Sequence, residues 1–138
     1  MSIAIIDYGS GNLRSAEKAF ARVAAGLSGD RKVIVTAAPE QVLKAEHIVL
    51  PGVGAFGDCA EGLRAIDGME EALNQRVRQQ AYPFLGICVG MQLICATGHE
   101  RGTHRGFGWV DGAVEPLDVP STLKVPHMGW NDLHITTD

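Results

Sequence analysis

Up to Thr97 the sequence alternates short apolar runs with longer stretches in which apolar residues recur at every third or fourth position. Short apolar runs are typical of strands, and a spacing near 3.6 residues is typical of helices with one buried face. Strands and helices that alternate in this way form a parallel sheet covered by helices on both faces. We therefore expect an α/β fold with three layers, built on a mostly parallel sheet. The predicted strands are "SIAIIDYG", "RKVIVTA", "HIVLPG" and "YPFLGIC".

The stretches between these runs predict the helices. The first begins after Asn12, whose side chain can cap it. A short helical piece begins at Pro39, because proline suits the first turn of a helix. Residues 58–80 predict a longer helical region that Gly68 can divide, and "GMQLICAT" predicts a helix behind the fourth strand. The positions expected to be buried are Leu13, Ala16, Phe20, Val23 and Leu27, and then Leu63, Ile66, Met69, Leu73 and Val77.

The pattern changes after Thr97. A glycine-rich stretch without helical period is followed by "FGWVDGAVEPL" and "GWNDLHI", which predict short strands. We expect them to form a small antiparallel section after residue 105. The sequence stops at Asp138 without a closing helix. We therefore interpret residues 1–138 as a single domain that lacks its C-terminal part.

Composition excludes several classes of protein. The chain is 46% hydrophobic and 20% charged, with a net charge of −4 and no basic block, so we expect no nucleic-acid partner. No apolar run is long enough for a membrane span, and the N-terminus does not resemble a signal peptide. Three cysteines argue against a disulfide framework. These features favour the cytoplasm, where thiols stay reduced.

The main chemical signal is Cys88, which lies where the fourth strand ends and a helix is predicted to begin. Gly86 and Gly90 flank it at the spacing of a nucleophile elbow, a sharp turn that needs residues without a Cβ on either side. The N-terminus of the helix would favour the thiolate, and the Val89 N–H would point at a tetrahedral oxyanion. The alternative is a buried structural cysteine, the interpretation that we prefer for Cys59 and Cys95.

A glycine-rich loop, "PGVGAFG", follows the third strand and contains the pattern G-x-G-x-x-G at Gly52, Gly54 and Gly57. That pattern binds dinucleotides when it follows the first strand and an acidic residue ends the next strand. Neither condition holds here, so nucleotide binding is the weaker interpretation. The loop could instead present a second N–H to the oxyanion, since glycines beside Val53 allow its peptide to reorient. A third glycine turn, "YGSGN" at residues 8–12, is expected at the same edge of the sheet.

These motifs together resemble a known family. "DYGSGNLRS", "PGVGAFGDC", "GICVGMQL" and "VPHMGWNDL", in this order, are similar to motifs of the glutaminase subunits of imidazole glycerol phosphate synthase, which are class I glutamine amidotransferases. The resemblance extends from Ile3 to about Leu133. It implies hydrolysis of glutamine to glutamate and ammonia, and passage of the ammonia to a partner cyclase subunit with a (β/α)₈ barrel. It implies no cofactor and no metal.

The resemblance also implies roles for individual residues. Cys88 would be the nucleophile and would form a γ-glutamyl thioester. The oxyanion hole would be formed by Val89 and by the loop containing Gly52 and Val53, which in this family is thought to reorient when the partner is active. The residues implied in substrate binding are Gln92, Gly54 and Glu100, and those implied at the partner interface are Asn12, His127, Trp130 and Asn131.

One element of the family pattern is absent from these 138 residues. The triad of the family needs a histidine base and a glutamate from a "HPE"-type motif, and the sequence contains none. None of the five histidines is expected to replace that base, and the spacing of Cys95, His99 and His104 is poor for zinc. Two other hypotheses therefore stay open: a cysteine hydrolase of the same superfamily, and a catalytically incomplete chain that acts only as a docking module.

Overall fold

The computed structural model describes residues 2–27, 29 and 31–136. The main sheet contains β1 (Ser2–Ile6), β2 (Lys32–Thr36), β3 (His47–Gly52) and β4 (Phe84–Cys88), and a second sheet contains β5 (Cys95–Gly98), β6 (His104–Arg105) and β7 (Val110–Val114). The helices are α1 (Leu13–Ala25), α2 (Pro39–Val42), α3 (Phe56–Arg64), α4 (Met69–Leu73), continued by a π-helical segment (Asn74–Gln79), and α5 (Val89–Gln92).

The main sheet has the strand order β2-β1-β3-β4, and all of its pairs are parallel. Successive residues of β1 point to opposite faces, so that Ile3 and Ile5 pack on the side of α1 while Ala4 and Ile6 join the larger core on the other side. Helices on both faces confirm the predicted three-layer α/β fold. The larger core holds buried residues from α2, α3, α4 and α5.

Helix α1 begins as predicted, because the Asn12 side chain accepts a hydrogen bond from the Ser15 N–H at 3.3 Å. The predicted buried face is correct for its first two turns but wrong at its end, since Val23 is 63% exposed and Leu27 is 49% exposed. Ala24 occupies the inward position instead. Because each residue turns the helix by about 100°, an inward Ala24 directs Val23 to solvent.

The helical region after β3 agrees with the sequence pattern. Gly68, with φ of +78°, separates α3 from α4. Leu63, Met69 and Leu73 are fully buried, and Ile66 and Val77 are partly buried against the same core. The π-helical segment was not predicted, because the apolar spacing there is compatible with an α-helix.

The chain after Cys88 differs most from the prediction. Helix α5 is a single turn, and Cys95 lies in strand β5 rather than on a helix. The carbonyl groups that would continue the helix bind the chain further on: Leu93 accepts from the Phe107 N–H at 2.7 Å and Ile94 from the Trp109 N–H at 2.9 Å. Pairing with a distant segment therefore overrides the local helical pattern.

The second sheet has the order β6-β5-β7, with one antiparallel pair and one parallel pair. It is mixed rather than antiparallel, and it begins at Cys95, before residue 105. The strand predicted at "GWNDLHI" is wrong, because residues 115–136 contain neither helix nor strand. Leu85 and Ile87 of β4, which lie on the α1 side of the sheet, are exposed, so the sheet is not covered on both faces at this edge.

Candidate active site

Cys88 forms the sharp turn that the sequence predicts. Its φ is +55° and its ψ is −117°, a conformation that costs energy in a residue with a side chain, and its side chain is exposed. A Cβ at Gly86 would lie 2.5 Å from the Cα of Met91, and a Cβ at Gly90 would overlap the carbonyl oxygen of Leu50. Both glycines are therefore required by close backbone contacts, one with α5 and one with β3.

The thiol faces open space rather than the core. A cavity of about 570 Å³ on one side of Cys88 is also lined by Gly54, Val89, Gln92 and Glu100. These are the residues that the family resemblance connects with substrate and oxyanion, so the fold brings them to one place. Cys88 lines a second cavity, of about 340 Å³, with Asn12, Pro51, Gly52, Val53 and Ile87 among its other walls.

The glycine loop lies directly beside the elbow. In the pairing of β3 with β4, Gly52 is the partner of Cys88. A Cβ at Gly52 would lie 2.7 Å from the Gly90 nitrogen and 2.8 Å from the Tyr8 hydroxyl, so there is no room for a side chain at position 52. The third glycine of the pattern, Gly57, is explained by packing, because a Cβ would lie 2.6 Å from the ring of His104.

Three side chains hold this loop, and sequence reasoning assigned no such role to them. The Tyr8 hydroxyl donates to the Pro51 carbonyl at 2.7 Å. The Ser10 hydroxyl lies 2.7 Å from the Val53 carbonyl oxygen and accepts from the Val53 N–H at 3.0 Å. The Cys59 thiol donates to the same carbonyl at 3.3 Å. The sequence indicated this arrangement only through "YGSGN". That motif predicts a tight turn but does not predict which residues its side chains contact.

Burial raises the pKa of the Tyr8 phenol well above its ordinary value, and the neighbouring Cys59 thiol adds to the increase. The phenol therefore remains a hydrogen-bond donor to Pro51 over the whole neutral range.

Glu100 connects the cavity with helix α3. Its carboxylate accepts a hydrogen bond from the Phe56 N–H at 2.9 Å, and so caps a helix whose N-cap, Ala55, has no polar side chain. One carboxylate oxygen remains for another partner. Helix α5 is only one turn long, so its dipole contributes less at Cys88 than the sequence predicts.

The residues implied at a partner interface lie in two places. Asn12 caps α1 and lines the smaller cavity beside Cys88. His127, Trp130 and Asn131 lie in the exposed segment 115–136, where the Asn131 amide is 3.4 Å from the His127 ring and Trp130 is fully exposed. Pro126, next to His127, lines the larger cavity.

Among the described residues, no histidine lines either cavity at Cys88. His99 contacts the Thr97 and Thr103 hydroxyls, His104 begins β6, and the Nδ1 of His47 is buried without a hydrogen bond. The described residues include no group of three or more His, Cys, Asp or Glu residues arranged to hold a metal ion.

The described part of the chain also contains no helix with the length and hydrophobicity needed to cross a membrane.

Comparison with known proteins identifies the class. The family model of glutamine amidotransferase class-I matches residues 4–135. The chain therefore belongs to the class-I glutamine amidotransferases. Within that family it is similar to the protein named imidazole glycerol phosphate synthase subunit HisH in several bacteria.

The identity to the HisH subunit of Rhodopseudomonas palustris is 54% over 134 residues, which are 96% of this chain and 62% of that protein. The HisH subunit of Bradyrhizobium diazoefficiens is also 54% identical, over 98% of this chain and 63% of its own length. That of Rhodospirillum rubrum is 52% identical over 100% of this chain and 65% of its own length. The chain thus spans less than two thirds of these relatives.

Proposed function

We propose that this chain carries the nucleophile half of a glutaminase that serves an imidazole glycerol phosphate synthase in histidine biosynthesis. The observation that carries the proposal is the exposed Cys88 thiol on a strained elbow, next to a cavity lined by Gln92 and Glu100. Membership of the glutamine amidotransferase class I family and the similarity to HisH subunits support the choice of substrate and pathway.

The reaction begins with attack of the Cys88 sulfur on the side-chain amide carbon of glutamine. The C=O double bond opens to an oxyanion, which the Val89 N–H stabilises, and such a donor is worth about 100- to 1,000-fold in kcat. Collapse of this intermediate breaks the C–N bond and releases ammonia, after a proton has been transferred to the nitrogen. The γ-glutamyl thioester that remains is hydrolysed by water to glutamate and the free thiol.

Substrate recognition is assigned to the larger cavity. One oxygen of the Glu100 carboxylate binds the Phe56 N–H, and the other is available to the α-amino group of glutamine. Gln92, which follows the elbow by one helical turn, supplies amide donors and acceptors beside the thiol. Gly54 of the glycine loop forms part of the cavity wall and, as a glycine, places no side chain in the cavity.

Proton transfer needs a base, and no described histidine lines the cavities at Cys88. The family resemblance gives this role to a histidine oriented by a glutamate, in a motif that residues 1–138 do not contain. The partner is a (β/α)₈ cyclase subunit that receives the ammonia, and it docks at the surface formed by Asn12 and the segment containing His127, Trp130 and Asn131.

The first test uses the electrophilic glutamine analogue diazo-oxo-norleucine, with peptide mass spectrometry as the readout. The sulfur forms a bond to the diazo carbon as dinitrogen leaves, so that Cys88 gains a stable adduct. We expect an adduct on Cys88 that excess glutamine suppresses, and no adduct on the half-buried Cys95, which serves as an internal control. Equal labelling of the two thiols, or no protection by glutamine, would contradict the proposal.

The second test separates the alternatives. Glutamine turnover by the protein from its complete reading frame is measured with and without the cyclase barrel. A strong rise on addition of the barrel supports the synthase subunit. Equal activity without the barrel, extending to larger γ-amides, would favour a cysteine hydrolase. Binding to the barrel without turnover or Cys88 labelling would favour a docking module.

A further inference from the structure

Glu100 lies in the loop that joins β5 to β6, residues 99–103, which we call the Glu100 loop. Gly98 and His104 pair with each other in the antiparallel hairpin at the base of this loop. The Glu100 carboxylate reaches across to α3, where it accepts from the Phe56 N–H at 2.9 Å. The distance between the Glu100 loop and the start of α3 therefore decides where the carboxylate lies in the cavity beside Cys88.

The ring of His104 contacts both the helix and the loop. A Cβ at Gly57, the second residue of α3, would lie 2.6 to 2.8 Å from three atoms of this ring, so the ring packs directly on the helix backbone. On the loop side, a Cβ at Gly102 would lie 3.5 Å from Nε2 of the same ring. The ring is therefore a spacer between α3 and the loop, and the Glu100 carboxylate crosses the same gap.

Two further contacts fix the base of the hairpin to α3. A Cβ at Gly98, the last residue of β5, would lie 2.5 Å from the fully buried ring of Phe56. Arg64, the last residue of α3, donates to the Arg105 carbonyl at 2.9 Å and to the Gly106 carbonyl at 3.2 Å. Because these contacts hold both strands of the hairpin, loss of the spacer ring should displace the Glu100 loop rather than the whole hairpin.

We propose that His104 is a positioning residue for glutamine, whose ring sets the gap between α3 and the Glu100 loop and so places the Glu100 carboxylate for the α-amino group. This inference rests on the proposed function, because that function assigns the amino group to Glu100. His104 lines neither cavity at Cys88, so it acts through Glu100 and takes no part in the chemical step. The ring should therefore affect the affinity for glutamine and not the rate of its hydrolysis.

The test measures glutamine turnover by the protein from its complete reading frame, in complex with the cyclase barrel. We expect His104→Ala to raise KM for glutamine about three- to fivefold, since the carboxylate is displaced but not removed. The kcat should not change, because the lost interaction is the same in the ground state and the transition state. His104→Phe retains a flat ring and should restore most of the affinity. A merely structural defect would lower the active fraction, and with it kcat, without changing KM.

A second substitution approaches the same contact from the helix. Gly57→Ala places a Cβ where the His104 ring lies, so it should raise KM although alanine favours a helix. When Gly57→Ala and His104→Ala are combined, the new Cβ occupies space that the ring has left. We therefore expect the KM of the double variant to rise by less than the product of the two single increases.

His99→Ala is the matched control, because it removes a ring from the same loop. The His99 ring contacts the Thr97 and Thr103 hydroxyls. Its loss should leave KM for glutamine unchanged. An increase in KM as large as that of His104→Ala would show that any disturbance of the loop has this effect, and it would contradict a specific role of the spacer ring.

The outcomes separate the spacer from the proposed function. If His104→Ala and Gly57→Ala leave KM unchanged while Glu100→Ala raises it, the spacer is wrong and the glutaminase stands. If Glu100→Ala also leaves KM unchanged, the carboxylate binds no substrate, and the spacer is wrong together with that assignment. If the wild type neither turns over glutamine nor gains a diazo-oxo-norleucine adduct on Cys88, the proposed function and the spacer both fail.

Discussion

Gly90 packs so closely against the backbone of Leu50 that any side chain at position 90 would overlap the Leu50 carbonyl oxygen. Gly90 is the second residue of α5 and Leu50 lies in β3, so this contact fixes the turn that follows Cys88 against the neighbouring strand. The elbow is therefore held by close backbone packing rather than by a capping side chain.

Gly90→Ala is expected to lower the free energy of unfolding by about 3 kcal/mol, since a tightly packed backbone cannot move away without cost. Urea unfolding measures the change. Gly112→Ala in β7 is the matched control, because no atom lies within 4 Å of the added Cβ, and it should leave stability unchanged or slightly raised. Equal effects of the two substitutions would show that the close contact between Gly90 and Leu50 does not cause the loss of stability.

The strained backbone at Cys88 should be detectable as a stability difference. Cys88→Gly is expected to be about 1 kcal/mol more stable than Cys88→Ala, because φ of +55° costs less in glycine. The same pair at Cys95, in strand β5, should have the opposite order, with alanine more stable. Thermal unfolding of the four variants provides the comparison, and the same order at both positions would contradict strain at the elbow.

Tyr8→Phe removes the donor to the buried Pro51 carbonyl and is expected to lower the free energy of unfolding by about 1 kcal/mol. The folded protein raises the pKa of this phenol, so its contribution is fully present below the unfolded pKa, which is about 10. Above that pH the unfolded chain ionises first and the contribution declines.

The stability difference between wild type and Tyr8→Phe should therefore be constant from pH 7 to about 9.5 and narrow at higher pH. Taking the difference removes the contribution of other groups that titrate in the same range. Urea unfolding at each pH measures it. A difference that stays constant well above pH 10 would contradict the burial of the phenol.

Two substitutions of Glu100 are expected to distinguish its contact with α3 from its proposed contact with substrate. Glu100→Ala removes the cap of α3 and is expected to cost about 1 kcal/mol of stability. Glu100→Gln keeps an acceptor oxygen for the Phe56 N–H and should retain most of the stability, but it removes the negative charge that we propose binds the amino group of glutamine.

Both Glu100 variants should need about tenfold more glutamine to protect Cys88 from diazo-oxo-norleucine. The readout is the glutamine concentration that halves the labelling rate. If Glu100→Gln matches the wild type in protection, the carboxylate serves α3 only and has no part in binding substrate.

The first strands, the start of α1 and the elbow could be predicted because each depends on residues close in sequence. Asn12 caps α1 through a residue three positions on, and Gly68 separates two helices by its own φ. Gly86 could be interpreted from spacing alone, because a Cβ there would meet the backbone of Gly90 and Met91 in the same turn. Gly90 also fits the spacing, but the contact that requires it is with Leu50 of β3, which the spacing does not indicate.

The prediction was wrong where a distant segment supplied the hydrogen bonds. "LICAT" has a helical period, but the carbonyl groups of Leu93 and Ile94 pair with the chain near Phe107 and Trp109. The outward turn of Val23 likewise depends on which residue of α1 meets the sheet. Apolar periodicity indicates that a face is buried but does not indicate the surface that covers it.

The sequence by itself determined the alternation of strands and helices and the position of the sharp turn at Cys88 with its two glycines, because these follow from local sterics and from the period of apolar residues. Only the tertiary structure decided that Tyr8, Ser10 and Cys59 hold the loop of Val53, and that Glu100 reaches both α3 and the cavity. These contacts join residues more than 40 positions apart, except for that of Cys59 with Val53. No local pattern encodes them, since they exist only after the parallel sheet has brought the ends of its strands to one edge.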